Sequence, residues 1–249
     1  MFVRNESFGS FIRSYQIVSG LVAIHLILFL WMSIFRPLGG DLIFLLGVGH
    51  NLSIAQGEVW RLVTPIFMHV SAGHFLFNSF SLVLFGPALE RQLGKVRFIT
   101  VYLLAGIAAN IATYYIGGLG YPPHLGASGA IFGLFGIYAY MVLYRKDLID
   151  QDNSQVVMTI LVIGLIMTFV NPRINIYAHI FGLIAGAALA PIFLYKLKRF
   201  VPKYRHVFDQ DEVTFNPNRW KKRRLSPAMK QKLLWAAFIL FVIIGVIYR

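Results

Sequence analysis

Cysteine is absent from the 249 residues, so disulfides, thiolate metal sites and a cysteine nucleophile are excluded together. Charge is nearly as scarce. Only 13% of residues are charged against 57% hydrophobic, whereas soluble domains carry roughly 25% charged residues. One core of this size cannot hide so much apolar surface, so lipid is the expected solvent and the lipid bilayer the first expected partner. The charge that remains is lopsided, with 23 Lys and Arg against 10 Asp and Glu. Nucleic acid is one reading of such an excess. In a multi-pass membrane protein the better reading is that basic residues mark cytoplasmic loops, and no nucleic-acid partner is expected.

What the sequence does contain is a series of long apolar runs. Residues 1–16 are polar, which argues against a cleavable signal, and the first span is predicted over 17–35. A long first loop, 36–64, includes Leu42 to Leu46, apolar but too short to cross and so interfacial or re-entrant. Further spans are predicted over 65–84, with Gly86-Pro87 disturbing the helix before Glu90, Arg91, Lys95 and Arg97 end it, then 98–116, 126–144, 156–170 and 174–194. The fifth is the shortest. A basic linker, 196–232, leads to a seventh apolar run, 233–249. The expected fold class is all-α, a polytopic transmembrane helix bundle with a six-helix core over 17–195 and one extra C-terminal helix. With the N-terminus cytoplasmic, basic residues divide nineteen inside to four outside, which predicts a multi-pass protein of the cell membrane with its C-terminus extracytoplasmic. The 219–224 basic cluster is read first as a stop for the adjacent helix, and second as a contact for anionic lipid headgroups.

In that topology the second, fourth and sixth spans all start on the outer side. Ser128 opens the fourth, His179 lies near the start of the sixth, and His69, His74 and Asn78 fall in the second. At about 1.5 Å per residue these groups share one depth. Polar groups inside a bilayer are costly and face the bundle interior, so their convergence points to a site. His25, alone in the first span, is expected to be a satisfied core histidine. Small residues at Ala178, Gly182, Gly186 and Ala190, and at Gly129 and Gly133 with Gly136 close by, form stripes that let helix backbones approach. If the stripes face each other, the His179 imidazole reaches the Ser128 hydroxyl, the arrangement of an activated serine. The fourth, fifth and sixth spans hold no Asp or Glu, so a dyad is expected, with ring packing to orient His179. The Ser128 amide, in the first helical turn, and the side chains of His74 and Asn78, i and i+4 on one face, are candidate oxyanion donors.

Gly126-Ala127-Ser128-Gly129, followed by Ala178-His179 with Gly182 and Gly186, and preceded by His69, His74 and Asn78, resembles the rhomboid intramembrane serine proteases. Trp60-Arg61 resembles that family's loop motif. The resemblance implies Ser128 as nucleophile, His179 as general base and acid, and His74, Asn78 and the Ser128 amide as oxyanion hole. It implies supporting roles for His69, Gly126, Gly129, Gly182 and Gly186, and structural ones for Arg61 and Glu90. Phe132 stands where some members carry a tyrosine packed on the imidazole, so stacking is kept and a hydroxyl is lost. The seventh run resembles the six-plus-one arrangement of some members. The implied activity is cleavage of transmembrane segments of other membrane proteins near the outer face. From its shortness and poor anchoring, separately, the fifth span is expected to be the moving wall that admits substrate. The alternative is a catalytically silent binder or chaperone of transmembrane helices on the same scaffold. A zinc site built from His69, His74, His124 and His179 is disfavoured, since no His-Glu-xx-His motif occurs. No metal or cofactor is expected.

Overall fold

Among the described residues all regular structure is helical, as a chain that must satisfy its backbone inside lipid requires. The structure is a computed structural model and describes residues 2, 4–195 and 197. The basic linker after Leu197, the 219–224 cluster and the 233–249 run lie outside the described residues.

A short helix α1 (Phe8–Ser14) is capped by Ser7, whose hydroxyl accepts from the Ser10 amide. It precedes the first span, α2 (Gln16–Ile34). The loop after it folds into α3 (Gly40–Gly47), α4 (Asn51–Ala55) and two 3-10 turns, Val59–Leu62 and Thr64–Phe67. Then come α5 (Ala72–Leu93), α6 (Lys95–Gly117), α7 (Ser128–Tyr144), α8 (Gln151–Val170) and α9 (Ile176–Leu194). Five of these are long and apolar enough to cross a membrane, while α7 has 17 residues. At about 1.5 Å per residue α7 still reaches about 25 Å. It is the hub, burying eleven residues from Gly129 to Met141 against its neighbours.

Four sequence-based expectations need correction. The second span does not start at Pro65. The backbone from Thr64 to Phe67 is 3-10, His69 precedes the helix, and α5 begins at Ala72 behind Ser71, whose hydroxyl accepts from the His74 amide. The Pro65 carbonyl is taken by the Gly126 amide at 2.9 Å, so this stretch is tied to the entrance of α7 instead.

Nor does Gly86-Pro87 disturb the helix, which continues to Leu93, within the charged stretch 90–97 expected to end it. Proline removes the amide that would bond the carbonyl four residues back, here Val83. The Arg4 guanidinium supplies the missing donor, bonding Val83 and reaching the Leu84 carbonyl at 3.4 Å. The Tyr138 hydroxyl donates to the Phe85 carbonyl at 2.7 Å. Gly86 leaves room for Val18, whose Cγ2 would lie 2.7 Å from an added Cβ.

The fifth span is not short. Asp150 caps it by accepting from the Asn153 amide at 2.9 Å, and the polar first turn extends α8 to 20 residues. Finally, the polar N-terminal segment contains α1, which buries no residue and so leaves no apolar pattern to find.

The long loop is held by Arg61. Arg61, 4% exposed, donates to the Leu45 carbonyl at 2.8 Å and the Val48 carbonyl at 2.7 Å, with Glu58 on its Nε at 2.5 Å. Glu90 accepts from the Ile17 and Val18 amides at 3.0 and 2.9 Å, capping the first turn of α2.

Candidate active site

The site is built where α7 crosses α9. A Cβ on Gly182 would run into the Gly129 carbonyl, one on Gly186 into the Gly133 carbonyl, and one on Gly136 into the Leu183 carbonyl. The two small-residue stripes therefore face each other at backbone contact, the approach that glycine permits in lipid. At the N-terminal end of α7 in this seam an added Cβ on Gly129 would stand 3.4 Å from the Ala178 carbonyl oxygen. Ser128 precedes Gly129 and His179 follows Ala178, so the crossing brings both chain positions to one level.

His179 is 7% exposed and held on two sides. Phe132, one helical turn after Ser128, stacks on the imidazole with centroids 4.1 Å apart and planes 20° from parallel. The Phe132 ring in turn fills the space beside Gly164, whose added Cβ would stand 3.1 Å from its Cζ. On the ring edge, Nδ1 lies 2.7 Å from the hydroxyl of Thr168. Thr168 was not among the residues expected from the sequence. A threonine in an apolar helix ordinarily bonds its own i−4 carbonyl, so nothing in the sequence marks this one. Ser128 Oγ and His179 Nε2 are not hydrogen-bonded to each other in this structure. Catalytic hydrogen bonds commonly tighten only in the substrate complex.

Gly126 has φ +131°, a backbone region that disfavours other residues, and a Cβ there would meet His74 Nε2 at 2.5 Å. The His74 ring thus lies directly against the turn that leads into Ser128. Asn78 approaches the same turn, its Nδ2 3.8 Å from that Cβ position, and this nitrogen is buried without a hydrogen-bond partner. A buried amide donor left unpaired is costly, and this one faces the turn before Ser128. His69, fully buried, packs edge-on against His74 at 5.0 Å and beside His25 at 4.9 Å, with neither ring nitrogen bonded. His25 reaches the Tyr102 hydroxyl at 3.4 Å, a long contact between α2 and α6.

The start of α9 is fixed from α6. Asn175 caps the helix by accepting from the Ala178 amide at 3.0 Å and donates to the Thr113 hydroxyl at 3.0 Å. His124 pairs its backbone with Gly49 in an isolated bridge, and burial pushes its imidazole down to about 4. A small cavity of about 20 Å³, room for about one water molecule, lies against Ser128 and is lined by Asn110, His124, Asn175 and Ala178 among others.

Fold and seam together define a multi-pass helical membrane protein with a buried polar cluster near one end of the bundle. A family model described as "Rhomboid domain" matches residues 56–196. The chain is 47% identical over 200 residues to "Putative rhomboid protease YdcA" of Bacillus subtilis, covering 80% of this chain and 99% of that one. It is 39% identical over 140 residues to "Rhomboid protease GluP" of the same organism, covering 56% of this chain and 27% of that one. "RHOMBOID-like protein 1" of Arabidopsis thaliana is 26% identical over 202 residues, covering 78% of this chain and 48% of its own. The chain belongs to the rhomboid family.

Proposed function

We propose that this chain is an intramembrane serine endopeptidase that cleaves transmembrane segments of other membrane proteins near the outer face of the membrane, through a Ser128–His179 dyad. The observation that carries the reading is the crossing itself: Gly129 meets the Ala178 carbonyl, so the residues flanking that contact, Ser128 and His179, share one level. Relatives named as proteases support it. His179 Nε2 takes the Ser128 proton while Oγ attacks the substrate carbonyl, and His179 returns the proton to the departing amine. The developing oxyanion is received by Asn78 Nδ2, His74 Nε2 and the Ser128 amide, which the first helical turn leaves without an intrahelical acceptor. Gly126 keeps the His74 ring against that turn, and His69 backs it.

A transmembrane substrate hides its carbonyls in helical hydrogen bonds. Cleavage therefore favours segments with helix-breaking residues near their outer end, and the family resemblance implies small residues at the cut. The distribution of basic residues supports a cell-membrane protein with its N-terminus inside. Membrane-protein fragments released by cells carrying the unaltered chain, compared with those from cells carrying Ser128→Ala, test the activity and identify substrates together. Fragments should disappear in the variant at equal expression. Undiminished fragment release would remove the serine-protease reading and leave the silent-binder reading in its place. Asn78→Leu should lower turnover on the order of 10²-fold with little change in substrate affinity, the effect of losing one oxyanion donor.

A further inference from the structure

The missing third member of the site has a candidate on α8. We infer that Thr168 is a positioning residue that sets the tautomer of His179, with Nδ1–H donating to the Thr168 hydroxyl oxygen and Nε2 left as the free base. This rests on the dyad reading above.

Both short contacts of the Thr168 hydroxyl are hydrogen bonds in only one arrangement of the protons. Thr168 is completely buried. Its hydroxyl lies 2.7 Å from the Gly164 carbonyl and 2.7 Å from His179 Nδ1. A hydroxyl has one proton to give and can accept at its lone pairs. The carbonyl can only accept. With the hydroxyl proton donated to Gly164, the bond to the ring is made only if Nδ1 carries the hydrogen. A neutral imidazole has one N–H, so Nε2 then presents a lone pair.

The carboxylate of a triad does two things: it selects the tautomer and it stabilises the imidazolium. A threonine anchored to a backbone carbonyl does the first and little of the second. It suits a depth at which an ionised carboxylate would be costly. Gly164 serves both sides of the ring. Its carbonyl holds the Thr168 proton, and its missing side chain admits Phe132, which stacks on the same imidazole.

The test has one arm that needs no catalysis. In protein carrying ¹⁵N-labelled histidine, with His179 assigned by loss of its signals in His179→Gln, the nitrogen shifts at neutral pH should show Nδ1 protonated and Nε2 bare. The opposite tautomer in the unaltered protein would overturn the inference, whether or not any variant folds. Thr168→Val should give a mixture of tautomers. On a single-span reporter reconstituted in liposomes it should lower kcat by about tenfold to a hundredfold, the effect of stranding a buried donor, with KM within about twofold. Thr168→Ser should stay within about threefold of the unaltered protein. Unchanged kcat and tautomer in Thr168→Val, or a serine variant as impaired as the valine one, would reduce Thr168 to a packing residue. Cleavage that survives Ser128→Ala sinks the dyad reading on its own, and the nitrogen spectrum still decides the tautomer.

Discussion

Helices α7 and α8 are joined by a short loop and are treated in opposite ways by the rest of the bundle. Of its 17 residues α7 buries eleven, whereas α8 buries Val157, Leu161 and Thr168 out of 20. Both are apolar, so hydrophobicity does not separate them. Lipid tails offer an apolar side chain about as good a home as another helix does, and close association depends on shape. Three glycines of α7 meet α9 at the level of the backbone, while the one glycine in α8, Gly164, is filled by a phenyl ring. Val162, Ile166, Phe169 and Val170 of α8 are left exposed. The site is therefore assembled from unequal walls: a tight seam that sets Ser128 and His179, and a lightly held helix that contributes one hydroxyl. Segments with few buried contacts lie at the low end of local stability, and we propose α8 on that ground as the wall that yields to substrate.

The largest effect should come from opening the seam. Gly186→Val places a branched side chain against the Gly133 carbonyl, where even a methyl has no room. Overpacking of this kind costs on the order of 3 kcal/mol. Reversible unfolding in mixed micelles should show that loss, and cleavage should fall below detection because Ser128 and His179 no longer share a level. Gly20→Ala in α2, where nothing stands within 4 Å of the new methyl, is the matched control and should behave like the unaltered chain.

A smaller effect is expected where the two walls meet. Phe132 lies between His179 and Gly164, so it couples the seam to α8. Phe132→Leu keeps an apolar side chain of somewhat smaller volume but loses the stack, a term of about 0.5–1.5 kcal/mol for aromatic pairs. Turnover should drop by about three- to tenfold with stability nearly intact. Phe132→Tyr should retain full stacking, so a loss as large as that of leucine would show that the ring face is not what orients the imidazole.

The same contrast governs what is legible in the sequence alone. Small residues and isolated polar groups stand out against an apolar background, so Ser128, His179, His74, Asn78 and both stripes are legible as positions. Helix boundaries are legible where charge or glycine marks them. They are not legible where the determining partner is distant in sequence. Pro87 looks like a disturbance of the helix until Arg4, about eighty residues earlier, supplies the donor for Val83. The segment at Pro65 looks apolar enough to be helical until the Gly126 amide claims its carbonyl. The polar first turn of α8 looks like loop because its Asp150 cap is one of several acidic residues nearby. Thr168 carries no signal at all, since its intrahelical bond to Gly164 is what any threonine in a helix would make. Only the packing of α8 on α9 turns that bond into a constraint on the imidazole.

The smallest effect is expected next to Thr168. Phe169 is 65% exposed, and on an α8 that faces lipid its replacement by leucine exchanges one lipid-facing apolar group for another. Such surface changes ordinarily stay within about 0.5 kcal/mol. Phe169→Leu should therefore leave both unfolding and reporter cleavage unchanged, although it adjoins a residue whose hydroxyl is expected to matter. If it destabilises the protein as Gly186→Val does, α8 is packed against something over its exposed face and is not the lightly held wall. If stability is unchanged but cleavage falls, that face of α8 takes part in presenting the substrate. No change in either measurement leaves the function of α8 concentrated in the single buried hydroxyl it turns toward His179.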